Sequence, residues 1–240
     1  MIPKNLLKRL LKLLIIFDLD DTLIPTSEVI TPFKLKRAFD SIYELAHLKR
    51  ESFEALMALN KKASGSKEAL LEFFKIFNIS SCLQMQALHV FQENQVLPEE
   101  LSVHEFANET LKNLSHSHQL ILVTKGDLTY QKLKMERSSL KMGYFLTYDI
   151  VNEGCKSKAY LKNMARFGRL SHEVVVIGDR IEVDLSPAKE LGMHTIHFNN
   201  GRGKVENFIF HQDVDYQICS LRDVSDMINK IEIKNFVRKT

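Results

Sequence analysis

The chain has 240 residues, enough for one core of ordinary size and a smaller accessory domain. Its hydrophobic content of 45% fits a soluble globular protein. Lysine and arginine exceed aspartate and glutamate by only 33 to 30, and no basic stripe carries interleaved aromatics, so nucleic acid is not an expected partner. Cys82, Cys155 and Cys219 are odd in number and far apart, with no C-x-x-C pair. They predict reduced, buried thiols in a cytoplasmic protein rather than zinc or redox work.

The first 17 residues hold Lys4, Lys8, Arg9 and Lys12 among leucines. The longest apolar run there, Leu13 to Phe17, falls far short of the roughly 20 residues of a membrane span. It leads straight into Asp18 with no small-residue cleavage site, so its removal as a signal would delete a core strand. Residues 3 to 12 fit two readings: a basic amphipathic helix on a membrane or partner, or a surface lead-in whose leucines pack on the domain, which is preferred.

Leu13-Leu14-Ile15-Ile16-Phe17 is a strand that delivers Asp18, Asp20 and Thr22 together at its end. Carboxylates on alternate residues project to one face if the backbone stays extended. Beside buried apolar sequence they call for a compensating cation, and a magnesium ion with a phosphate ester would serve. From Ile24 to Glu105 the strand signal gives way to about four helical segments. Thr31-Pro32 opens the first, with threonine as cap. A second runs near 51 to 62, a third carries Leu70, Phe73, Phe74 and Phe77, and a fourth carries Leu83, Met85, Leu88, Val90 and Phe91.

From Leu120 onward apolar runs alternate with helical patterns, as in parallel strands joined by crossover helices, and the core is α/β. The strands are placed at 13 to 18, 120 to 124, 147 to 151, 173 to 178, 194 to 198 and 214 to 219. Helices are placed at 106 to 115, 128 to 140, 158 to 167 and 184 to 191, with a last one near 221 to 231. Right-handed crossovers put the carboxyl ends of such strands on one edge, where ligands bind. Thr124 ends the second strand, Lys156 and Lys158 follow the third, and Asp179 ends the fourth with Asp184 five residues beyond.

These four pieces, in this order and strand context, resemble the four motifs of the haloacid dehalogenase (HAD) superfamily, whose members are mostly magnesium-dependent phosphatases. The resemblance implies a doubly wound, Rossmann-like parallel core formed by residues 1–23 and 105–240. Residues 24–104 are then an inserted all-helical cap domain, hinged near 23 to 30 and 96 to 104. It also implies that Asp18 attacks phosphorus to give an aspartyl-phosphate, and that Asp20 protonates the leaving alcohol and later activates water. Thr124 would donate its hydroxyl to the phosphoryl oxygens, joined by backbone amides of the Lys125-Gly126-Asp127 turn. Lys156, or alternatively Lys158, would hold the phosphoryl group by point charge. Mg2+ would be bound by Asp18, the carbonyl of Asp20 and Asp179, with Asp184 ordering its waters. Asp21 and Thr22 are read as turn residues. The expected activity is hydrolysis of a small phosphorylated metabolite. A phosphomutase on the same core, or a binding and regulatory module with a vestigial site, are the alternatives.

Overall fold

The computed structural model describes residues 12–63, 65–93, 96–201, 204 and 210–239. Most of the basic N-terminal lead-in, read above as membrane-facing or domain-packed, lies outside them. No described helix is long and apolar enough to cross a membrane.

Six strands among the described residues form one parallel sheet: β1 (Leu14–Phe17), β2 (Gln119–Lys125), β3 (Thr147–Val151), β4 (Val174–Gly178), β5 (His194–Phe198) and β6 (Tyr216–Ile218). Their order is β3-β2-β1-β4-β5-β6. The chain steps outward on one side of β1, returns to its other side at β4 and steps outward again. The reversal between β1 and β4 is where doubly wound sheets bind ligands. Phe17 pairs with Leu122 on one side and Ile177 on the other. This register brings Asp18 level with the ends of β2 and β4, and the Asp18 amide donates to the Ile177 carbonyl at 2.9 Å.

The first strand is buried on both faces, which is why it reads as an unbroken apolar run rather than an alternation. Leu14, Ile16, Ile121, Val123, Val174 and Val176 pack with Tyr160, Leu185 and Met193 on one side of the sheet. Helices α5 (Ala107–Ser115), α6 (Leu128–Arg137), α7 (Ser157–Arg166), α8 (Ser186–Glu190) and α9 (Val224–Lys239) belong to the crossovers and the C-terminus. The helix expected at 184 to 191 is split: a wide π-helical turn, Ile181–Leu185, precedes the short α8, because Pro187 fits only a first helical turn.

The chain divides into two compact units, Met1–Pro25 with Glu100–Thr240, and Thr26–Glu99. The boundary lies outside Leu23 and His104 because the His104 amide donates to the Leu23 carbonyl and Leu101 bridges to Ser138, tying both ends into the sheet unit. The inserted unit is helical: α1 (Thr31–Ile42), α2 (Glu51–Lys62), α3 (Ser66–Ile76) and α4 (Ser81–Gln92). Its own core gathers Leu35, Phe39, Ile42, Leu56, Phe73 and Phe74, with Phe73 and Phe77 stacked at 4.5 Å. Thr31 is not the cap expected of it. A helical turn at Thr26–Ile30 runs directly into this helix, so Thr31 lies inside it and no side chain caps its start.

The three cysteines are exposed, against the expectation of burial. Single cysteines in polar segments carry no periodicity from which an inward face could be read.

Candidate active site

The tight turn after β1 is closed by backbone bonds. Leu23 and Ile24 amides both donate to the Leu19 carbonyl, and the Asp21 amide donates to Ile24. Asp21 takes a left-handed conformation, φ 57°, which aspartate tolerates better than most residues. The Thr22 hydroxyl is buried and bonds no partner among the described residues, so the turn is set by backbone rather than by this side chain.

Asp18 is buried at the end of β1, and its Oδ1 accepts from the Lys156 ammonium at 2.5 Å. Lys156 is only 1% exposed and also donates to the Val123 carbonyl at 2.9 Å and pairs with Asp184 at 2.6 Å. The structure thus brings Lys156, and not the exposed Lys158, to the carboxylates. Ser157 begins α7, so Lys156 is the last residue before the helix and can turn inward.

Asp184 is fixed through both oxygens, by Lys156 and by the Arg180 amide at 3.1 Å, while Tyr160 donates to its carbonyl. Asp179 is 2% exposed, and its Oδ2 is buried without a hydrogen-bond partner among the described residues. His197 bonds the Asp179 carbonyl at 2.8 Å and so orients this acid, a contact that sequence reasoning missed because nothing local links the two. Carboxylate oxygens of Asp18, Asp179 and Asp184 lie within 4.8 Å of one another.

One ammonium facing three buried acids leaves negative charge in excess. Burial pushes the Asp18 carboxyl up to about 7; Lys156 opposes this, and Asp184 and Asp20 add to it. Burial also pushes Asp179 up to about 9, with Asp18, Asp184 and Asp21 contributing in the same direction. Lys156 would be lowered by burial alone, but Asp18 and Asp184 hold it well above the ordinary amine range. An all-oxygen donor set with an orphaned, desolvated carboxylate oxygen fits a hard divalent cation such as Mg2+.

Gly178 ends β4 directly beneath Asp184. A Cβ there would stand 2.6 Å from the Asp184 Cβ and 2.7 Å from its Oδ2. Gly178→Ala is therefore expected to displace Asp184 and to lower stability by about 1–3 kcal/mol. Urea unfolding would measure it; an unchanged midpoint would mean that the loop yields freely.

Thr124 is buried at the end of β2, and its hydroxyl accepts from the Gln131 amide at 2.5 Å. In the next turn the Gly126 amide is given to the Val151 carbonyl. Asp127 caps α6, accepting from the Tyr130 amide at 2.8 Å. Asp20 lies apart from the Asp18–Lys156 pair: its Oδ1 accepts from Lys134 at 2.6 Å and its Oδ2 from Gln131 at 2.8 Å. Lys134 and Gln131 join His197 as site contacts that the sequence did not disclose. His116 and His118 lie just before β2, at the opposite edge of the sheet from these groups: His116 bonds the Lys112 carbonyl, while burial lowers His118 to about 4 and it accepts from the Leu13 amide. Asp18, Asp179 and Asp184 are the one group with metal-ligand geometry among the described residues.

A doubly wound parallel sheet whose switch point carries buried acids, a buried lysine and a threonine defines a hydrolase core of the HAD type. Residues 15–198 match the profile of the haloacid dehalogenase-like hydrolases, and the chain belongs to that family. It is similar to the glyceraldehyde 3-phosphate phosphatase of Methanocaldococcus jannaschii, with 27% identity over 234 residues, 91% of this chain and 97% of the relative. The ribulose-1,5-bisphosphate 5-phosphatase of Halopiger xanaduensis is 24% identical over 235 residues, 90% of this chain and 98% of its own. Among solved structures, a haloacid dehalogenase-like family hydrolase from Xanthomonas campestris superposes with a TM-score of 0.65 at 17% identity, covering 95% of each chain. YfnB from Bacillus subtilis, solved bound to magnesium, gives 0.61 at 15% identity, covering 91% of this chain and 99% of its own. At these identities the structural likeness speaks to the fold.

Proposed function

We propose that this hydrolase is a magnesium-dependent phosphatase that cleaves small phosphate monoesters through phospho-Asp18. The observation that carries the reading is the buried Asp18 carboxylate at the switch point, held by Lys156 and grouped with Asp179 and Asp184. Asp18, the Asp20 carbonyl and Asp179 would hold Mg2+, with Asp184 acting on its waters. When bound, the ion neutralises phosphoryl charge and orients the ester.

The chain's own groups divide the remaining work. An Asp18 oxygen forms the new bond to phosphorus as the ester P–O bond breaks, and the departing alkoxide takes a proton from Asp20. Water then attacks the aspartyl-phosphate phosphorus and gives a proton to Asp20, freeing phosphate and the Asp18 carboxylate. Lys156 and the Thr124 hydroxyl hold the phosphoryl oxygens through both steps. The helical unit inserted between β1 and β2 serves as the cap and chooses the substrate. That two curated relatives are phosphatases of small phosphorylated compounds supports water, rather than a second sugar, as the acceptor. It also makes sugar phosphates the first substrates to test.

The test is phosphate release from a panel of aryl and sugar phosphates with Mg2+, together with mapping of an acid-quenched phosphoenzyme. Phosphate release that needs the metal, and label on Asp18, are the expected results. Isomerised sugar phosphate without free phosphate would point to a mutase instead.

Metal binding should be pH-linked. Above about pH 4 these acids are ionised in the unfolded chain, whereas the folded Asp18 holds its proton up to about 7 and Asp179 up to about 9, against an ordinary 3.8. Without metal, these two groups therefore make the fold less stable as pH rises through that window. Mg2+ requires the ionised acids and releases their protons on binding. Saturating Mg2+ is expected to raise Tm more near pH 8.5 than near pH 5.5. Equal shifts at both would mean that the metal binds elsewhere.

A further inference from the structure

We propose that Lys134 and Gln131 are positioning residues for Asp20, a role that rests on the phosphatase reading and deepens it. The two side chains approach different oxygens of the Asp20 carboxylate, Lys134 at Oδ1 and Gln131 at Oδ2, and two such contacts fix both its location and its plane. Gln131 is 1% exposed and Lys134 4%, so both contacts are made by buried groups to a partly exposed Asp20 carboxylate. A buried ammonium is costly unless paired, and Lys134 finds Asp20 on one side and the Tyr130 ring at 4.6 Å on the other. Burial and the Asp20 charge raise the Tyr130 phenol, which therefore stays neutral beside the pair.

Gln131 does more than hold one oxygen. The same amide nitrogen reaches the Thr124 hydroxyl at 2.5 Å and the Lys125 carbonyl at 3.3 Å. It thereby couples the acid to the residue that would touch the phosphoryl group, so the two are set at a fixed separation. The helix that carries these groups is itself anchored: Asp127 caps α6 just after β2, and Gln131 and Lys134 follow one turn apart on its inward face. A helix whose inward face is polar gains little from apolar burial, so this face is better accounted for by what it holds. The two aspartates that follow β1 are consequently paired with different lysines, Asp18 with Lys156 and Asp20 with Lys134.

Placement of a proton donor matters only where the leaving group needs a proton. The experiment compares kcat/KM of wild type, Lys134→Met and Gln131→Leu on two esters. One is 2,4-dinitrophenyl phosphate, whose phenolate departs unprotonated; the other is the alkyl phosphate that wild type turns over fastest. Lys134→Met is expected to lose on the order of 10²-fold on the alkyl ester, the scale of a general acid's contribution, and to stay within about threefold on the dinitrophenyl ester. Gln131→Leu is expected to shift the ratio in the same direction, which keeps the test alive if the lysine variant does not fold. A merely structural role would depress both esters alike. Equal losses in the folded variants, or none on the alkyl ester, would overturn the positioning role and leave the phosphatase reading standing. A wild type inactive on both esters would overturn the two together.

Discussion

Asp18→Asn is expected to cut Mg2+-dependent phosphate release on the order of 10³-fold or more, the scale seen when a covalent nucleophile is removed, while the protein stays folded. The amide lacks the charge to attack phosphorus, so the covalent intermediate goes with it. The fold should survive for a specific reason. Lys156 keeps Asp184 at 2.6 Å and the Val123 carbonyl at 2.9 Å, so its ammonium is not orphaned by the change. Crowding among the acids falls at the same time, because Asp18 is one of the charges that raise Asp179. Circular dichroism and Tm in the wild-type range, beside lost turnover and lost phosphoenzyme, are the expected pair of results. Turnover retained by Asp18→Asn would remove the nucleophile, and unfolding would show that the buried carboxylate carries the fold instead.

What the sequence discloses and what it withholds follow from how far apart the interacting residues lie. The apolar run before Asp18 announces a strand buried on both faces, and β2 and β4 are equally plain as short apolar blocks, whereas β3, β5 and β6 mix polar residues with apolar ones and are marked by the turn residues and helical patterns around them. The Gly178-Asp179 ending and the Asp184 spacing are also local, and the wide turn of Ile181–Leu185 brings the second acid back over Gly178. The choice between Lys156 and Lys158 was open because both flank the start of one helix, and only the inward turn of the residue before α7 separates them. Lys134 and Gln131 were hidden for a different reason. Their partner Asp20 is more than a hundred residues earlier, and a helix read by its apolar positions would turn Leu128 inward, whereas Leu128 is exposed and Gln131, Lys134 and Met135 are buried. Hydrophobic periodicity finds faces that bury carbon. It cannot find a face buried to hold a carboxylate.

The second large effect is expected at Lys156, and it should separate this residue sharply from its neighbour two positions on. Lys156→Met keeps an unbranched apolar stem in a buried slot but removes the ammonium that touches both Asp18 and Asp184. Breaking a buried pair from one side typically costs about 3–5 kcal/mol, because the remaining charge is left uncompensated. The acids can escape that cost by taking up protons, so its size depends on pH. Lys156 stays charged until well above ordinary amine values, so its stabilisation is present across the neutral range and at acid pH is shared with protonation of the acids. With the lysine gone, Asp18 and Asp179 titrate higher still, and the fold loses stability more steeply as pH rises from about 4 toward 9. Urea unfolding of Lys156→Met is therefore expected to show a small deficit near pH 5 and a deficit of several kcal/mol near pH 8, with activity down on the order of 10²–10³-fold from loss of phosphoryl charge stabilisation. Lys158→Met, whose side chain is exposed, should match wild type in both measurements. A deficit independent of pH would assign Lys156 to packing alone, and equal behaviour of the two variants would dissolve the link between burial and function on which the site is built.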